Sequence, residues 1–133
     1  DKALSSYSSK VKYILDIFGP TDLSSLDTSC IDDVYKEDIE RLASSPEILN
    51  KYSPIKYIGN SIPNTLIIHS KTDEIVPYEN ALNLYYTLKN KEVKTKLLTL
   101  ESGSHYFNGY DKFEIMALVF ETLKFLDINN KTK

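Results

Sequence analysis

The chain has 133 residues, 41% hydrophobic and 26% charged, which is the composition of one packed globular domain and too little chain for two. A net charge of -3 and a pI near 5.4 leave no basic face for nucleic acid or an anionic membrane. No apolar run approaches the ~18 residues of a membrane span, the start Asp1-Lys2-Ala3-Leu4 has no signal-peptide pattern, and the single cysteine, Cys30, excludes an internal disulfide and a multi-cysteine metal site. The compartment stays open, with a soluble cytoplasmic setting as the expectation.

Residues 1–9 are small, polar and rich in Ser, and read as a loop. Val11 to Phe18 is a β-prone, mostly apolar run of the kind found in strands buried on both faces. Gly19-Pro20-Thr21-Asp22 ends it, with Thr21 or Asp22 placed to cap a short helix from about Leu23. Ile31 to Ala43 has Tyr35, Ile39 and Leu42 at helical spacing, with Asp32 and Asp33 in the first turn, where the helix dipole favours acids. Ser45-Pro46-Glu47 reads as an N-cap followed by proline at the first helical position, predicting a short helix over Glu47 to Lys51.

From Thr65 onward the rhythm is regular. Thr65 to His69 is a predicted strand, and Tyr78 to Lys89 a helix with Ala81, Leu84, Tyr85 and Leu88 on one face. Val93 to Leu100 is the next strand. Lys112 to Leu126 is a helix capped by Asp111, with Phe113, Met116, Ala117, Phe120 and Leu123 forming its core-facing stripe. Strand, helix, strand, helix with short connections predicts an α/β fold with a parallel sheet and right-handed crossovers. The polar residues 129–133 are expected to fray.

In a parallel sheet the loops at the carboxyl ends of the strands converge on one edge. The loops after His69 and Leu100 should therefore be neighbours, and they carry Asp73 and His105. An acid bonded to one imidazole nitrogen fixes the tautomer and leaves the other nitrogen free as a base, the arrangement that activates a serine or cysteine. Taken singly, each has a plainer reading: Asp73 as a loop acid capping the following helix, His105 as a surface histidine. His69 reads as a satisfied, half-buried residue at a strand end, and Glu74 as a weaker substitute for Asp73. Ser102 and Ser104 sit too close to His105 on one loop to serve as its nucleophile. Cys30 reads as a small buried hydrophobe, and Tyr13, Tyr52, Tyr57, Tyr85 and Tyr106 suit core and rim positions. Asp16, a carboxylate within an apolar strand, needs a hydrogen-bond partner near the strand's end, with substrate contact as a second reading.

Four segments in order resemble the esterase/lipase group of α/β-hydrolases, in particular acetylxylan and feruloyl esterases. Leu15-Asp16-Ile17-Phe18-Gly19-Pro20-Thr21-Asp22-Leu23 resembles the strand and turn after the nucleophile helix, and Tyr52-Ser53-Pro54-Ile55-Lys56-Tyr57-Ile58 the group's SPI-x-Y segment. Thr65 to Pro77 resembles its TLIIHG-x-x-D-x-x-VP strand and acid loop, with Ser70 in place of the usual Gly. Gly103-Ser104-His105-Tyr106-Phe107 resembles its histidine loop, one residue shorter between Gly103 and His105 than in some relatives.

The resemblance implies that Asp73 is the acid and His105 the base of a Ser-His-Asp triad acting on a small ester, without metal or organic cofactor. It also implies the C-terminal part of an α/β-hydrolase fold over residues 1–133, with about three parallel strands flanked by helices. In it, residues 23–58 form a small helical cap-like segment and 59–133 carry the acid and histidine loops. The Gly-x-Ser-x-Gly nucleophile elbow of such enzymes is absent, since glycines at 19, 59, 103 and 109 cannot make one. The expectation is therefore a fragment, inactive alone, that forms a homodimer or pairs with a missing N-terminal half through an unpaired edge at Val11 to Phe18 or the face beside it. Two rivals are a fragment of a prolyl-oligopeptidase-like peptidase and a non-catalytic binding or assembly module on the same scaffold.

Overall fold

A computed structural model describes residues 8, 10–26, 37, 40–41 and 43–126. Cys30, the tail at 129–133 and most of the helix expected at Ile31 to Ala43 lie outside the described residues; within that helix Glu37, Glu40, Arg41 and Ala43 are helical.

Three strands form one parallel sheet: β1 (Tyr13–Ile17), β2 (Asn64–Ser70) and β3 (Thr95–Leu100), in the order β1-β2-β3. Ile17 pairs with Ile68 on one side of β2, and Ser70 with Leu100 on the other. The central strand is buried throughout its last six residues, which explains its uninterrupted apolar run. Its side chains alternate between two cores. Ile67 packs with Ala81, Leu84 and Leu88 of α2 (Glu79–Asn90). Leu66 and Ile68 face the other way, against Phe125 of α3 (Lys112–Phe125), with Tyr13, Leu98, Leu100 and Leu118 around them. The architecture is thus helix, parallel sheet, helix, as expected for part of an α/β-hydrolase fold.

Local chemistry sets the boundaries. Asp22 caps a 3-10 turn at Leu23–Ser25 by accepting from Ser24 N. Ser45 caps α1 (Pro46–Tyr52), whose Pro46 stands where a missing N–H costs nothing. Asp111 and Glu114 make a reciprocal capping box at the start of α3.

Two expectations about burial are corrected. β1 is not buried on both faces: Ile14, Leu15 and Ile17 are 36%, 42% and 45% exposed, and among the described residues β1 has a strand on one side only. The expected core stripe of α3 faces outward, with Phe113, Met116, Ala117, Phe120 and Leu123 all exposed. This helix is apolar around most of its circumference. A helix of that kind belongs in a fully buried setting, and a three-strand sheet covers only the side carrying Leu118 and Phe125.

Candidate functional site

β2 and β3 deliver their carboxyl-end loops to the same edge. Lys71 N donates to Leu100 O at 2.9 Å, so pairing continues one step past the strands before the acid and histidine loops diverge. Asp73 then folds back on its own loop: Oδ1 accepts from the backbone N–H groups of Ile75 and Val76, each at 2.9 Å. That leaves Oδ2 to face the second loop, where His105 Nδ1 lies 2.7 Å away. The Asp73 side chain is fully buried and that of His105 is 9% exposed. Asp73 therefore has a partner on each oxygen, as a buried carboxylate requires.

The geometry fixes the tautomer. A nitrogen at this distance from a carboxylate carries the proton, which leaves His105 Nε2 with its lone pair. Nε2 has no hydrogen bond among the described residues, nor does any serine of the described chain bond to this ring. What the pair can do chemically is hold an oriented imidazole ready to accept a proton from a group presented to Nε2.

The histidine loop is held in an unusual backbone path. Gly103 has φ +95°, and both Tyr106 and Phe107 have φ +62°. Left-handed backbone at a non-glycine residue costs about 1–3 kcal/mol and persists only where the surroundings over-determine it. A Cβ on Gly103 would stand 2.3 Å from the Tyr110 ring, so glycine is needed there for space as well as for φ.

His69 is fully buried, not half-buried, and only partly satisfied. Its Nε2 donates to Val76 O at 2.8 Å and lies 3.4 Å from Asp73 Oδ2, while Nδ1 has no partner. Glu74 is exposed and takes no part. Asp16 also departs from expectation: its Oδ2 is buried without a hydrogen bond, and burial raises its pKa above the ordinary 3.8, partly offset by His69. Lys71 and Glu101 pair at 2.8 Å across the two loops on the surface, and the hydrogen bond to Glu101 raises the Lys71 ammonium above 10.5.

Sequence reading missed the aromatic floor of the site. Phe18, at the carboxyl end of β1 with φ +53° and 4% exposure, sets its ring 5.6 Å from His69, 5.3 Å from His105 and 4.9 Å from Phe107. Its position at a strand's carboxyl end, just before Gly19-Pro20, marks the edge of the sheet at which it lies but not the direction of its ring. Tyr106 stacks edge-on against His105 at 4.1 Å and is 72% exposed, forming an outer wall. Among the described residues no cluster of His, Cys, Asp and Glu could hold a metal ion, and no helix is long and apolar enough to cross a membrane.

Comparison with known proteins supplies the family. The truncated form of a carbohydrate esterase from gut microbiota is similar over 88% of this chain and 44% of its own, at 26% identity and a TM-score of 0.64. An acetyl ester-xyloside bifunctional hydrolase from Caldicellulosiruptor lactoaceticus matches 87% of this chain and 44% of its own, at 20% identity and TM-score 0.63. The acylaminoacyl peptidase of Pyrococcus horikoshii matches 78% of this chain and 17% of its own, at 23% identity and TM-score 0.60. The last two are likenesses of fold alone. No curated protein matches. The chain spans about 44% of the length of the solved esterases it resembles. The BD-FAE family profile matches residues 1–88, a stretch that includes Asp73 and stops before His105. By that match the chain belongs to the BD-FAE family.

Proposed function

We propose that this chain supplies the acid and the base of a serine carboxylic-ester hydrolase, with Asp73 orienting the imidazole and His105 Nε2 taking the proton of a serine hydroxyl. The observation that carries this reading is the 2.7 Å bond between Asp73 Oδ2 and His105 Nδ1, with both residues on loops at the carboxyl edge of a parallel sheet. In the reaction the serine oxygen attacks the ester carbonyl while Nε2 accepts its proton. The imidazolium, stabilised by the Asp73 carboxylate, then passes that proton to the departing alcohol, and the acyl-enzyme is cleared by water through the same two transfers.

The serine and the oxyanion donors come from sequence outside this chain, and without them acyl transfer is negligible because the triad acts as a unit. The exposed apolar surface formed by Leu15 and Ile17 of β1 and the outward stripe of α3 is where the complementary part packs. The cap-like segment expected at 23–58, of which residues 23–26, 37, 40–41 and 43–58 are described, would wall the acyl or alcohol pocket. Carbohydrate esters with small acyl groups are the substrate class, in keeping with the carbohydrate esterase to which the chain is similar.

The test is hydrolysis of acetylated xylan fragments and of a p-nitrophenyl acetate probe by this chain alone, then by this chain with the N-terminal half of a hydrolase domain carrying the serine elbow. Activity in the mixture only, lost on His105→Gln, is the expected result. Turnover of a peptide amide with none on esters would replace this reading with a peptidase. No turnover from a mixture shown by sedimentation to be assembled would leave the binding-module reading.

A further inference from the structure

Ser70 departs from the glycine of the resembled acid-loop pattern, and its side chain is fully buried. Its hydroxyl donates to the carbonyl of Gly103 at 2.6 Å. The Thr72 hydroxyl donates to the same carbonyl at 2.9 Å, and Thr72 N–H donates back to Ser70 Oγ at 3.1 Å. The proton count closes. Each hydroxyl has one proton to give, both are given to Gly103, and a carbonyl oxygen has two lone pairs to receive them. The 3.2 Å contact between the two hydroxyls therefore needs no proton of its own.

Gly103 lies two residues before His105, and Thr72 one residue before Asp73. The convergence thus ties the base-bearing loop to the acid-bearing loop immediately beside the bond between the two side chains. It does so at Gly103, whose φ of +95° glycine alone adopts freely, just before the left-handed Tyr106 and Phe107. The other cross-loop ties differ in kind: the Lys71–Glu101 pair is solvent-exposed and open to screening, and the Lys71 N–Leu100 O bond belongs to the sheet and precedes both loops.

We propose that Ser70 and Thr72 are positioning residues for the Asp73–His105 pair, a two-hydroxyl latch on Gly103 that holds the histidine loop within bonding distance of the acid. The proposal rests on the reading of Asp73 and His105 as a functional pair. Loosening the latch lengthens the time the imidazole spends away from the carboxylate without removing either group.

The readout is the imidazole itself, followed in this chain by 1H and 15N NMR as the exchange rate of the His105 Nδ1 proton and the fraction of ring in the Nδ1–H tautomer. Ser70→Gly and Thr72→Val each should speed exchange several-fold, and the double variant at least tenfold, with a fall in the Nδ1–H fraction. Thr72→Ser, which keeps the hydroxyl, should restore the parent behaviour. Thr65→Val removes a hydroxyl bonded to the Pro63 carbonyl at 2.9 Å, far from the pair, and should leave the ring unchanged. Thr72 is exposed, so its variants keep the test sound even if Ser70→Gly unfolds the chain. An Nδ1 proton that depends on Asp73, as shown with Asp73→Asn, yet ignores Thr72→Val would overturn the latch alone. A proton insensitive to Asp73→Asn would overturn the pair, and the latch with it.

Discussion

Asp16 Oδ1 occupies the space into which a side chain on Gly19 would project, 1.9 Å from where a Cβ would stand. The turn after β1 thus closes directly over a carboxyl group whose other oxygen, Oδ2, is buried without a partner. Burial disfavours the charged form, so the folded chain holds the Asp16 proton more tightly than the unfolded chain does. The stabilising effect is complete below the ordinary value of 3.8 and is lost as pH rises from there through the raised folded value. Asp16→Asn removes this slope. Urea midpoints measured from acid to neutral pH should converge at the acid end and separate above it, with the Asn variant the more stable. Parallel curves for the two proteins would contradict the assignment.

Asp73→Asn presents an amide nitrogen or a lone oxygen to His105, and in the first case two donors face each other unless the imidazole flips its tautomer. The flipped ring has no lone pair at Nε2. In the assembled hydrolase, kcat should fall by roughly 10⁴-fold for this reason, with KM little changed. Stopped-flow acylation by a chromogenic ester measures it. A loss under tenfold would mean that Asp73 does not orient the base.

The α3 cap predicts a stability effect remote from the chemistry. Asp111 Oδ1 accepts from Phe113 N at 2.7 Å and Glu114 N at 2.9 Å, while Glu114 reaches back to Asp111 N at 2.9 Å. Asp111→Ala should cost about 1 kcal/mol, within the usual range for a lost N-cap, and Asp111→Ser should recover most of it. Thermal unfolding followed by circular dichroism decides, and a neutral Ala variant would count against the cap.

The outward stripe of α3 predicts association. Met116 and Phe120 are 66% and 57% exposed, and Leu15 and Ile17 lie exposed on the side of the sheet that α3 covers. Apolar surface of this extent marks a contact area. Sedimentation velocity of the chain alone should show dimers or larger species that Met116→Lys with Phe120→Lys returns toward monomer. The same pair of changes should block pairing with the complementary half. A wild-type monomer at high micromolar concentration, unable to pair with that half, would remove the proposal.

The strands, the two long helices and the cap of α3 were legible because each carries a local signal: an apolar run in Thr65 to His69, heptad-like spacing in Ala81, Leu84 and Leu88, and Asp111 before α3. Asp73 and His105 were legible as members of two loops that the parallel topology brings together. Burial was not legible for β1 and α3. An apolar pattern records that a face is built to be covered, whereas coverage depends on which neighbours are present, and among the described residues β1 has a strand on one side alone. Phe18 was hidden for a different reason. Its role follows from a left-handed backbone that turns its ring under two histidines, and no pattern in Ile17-Phe18-Gly19 announces that φ. The orphaned Asp16 Oδ2 likewise depends on how closely the Gly19 turn packs.

Asn80 bears on how the pieces move together. Buried at the start of α2, its Oδ1 accepts from Asp22 N at 2.7 Å, its Nδ2 donates to Ser25 Oγ at 2.8 Å, and its carbonyl accepts the Thr21 hydroxyl. Its own N–H is held by Pro77 O, next to the Val76 that braces Asp73. The side-chain amide of Asn80 thereby holds the segment after β1, while its backbone N–H holds the end of the acid loop. Thr21 to Ser25 and the end of the acid loop are thus anchored on the same buried residue, so a substitution at Asn80 removes a support from both at once.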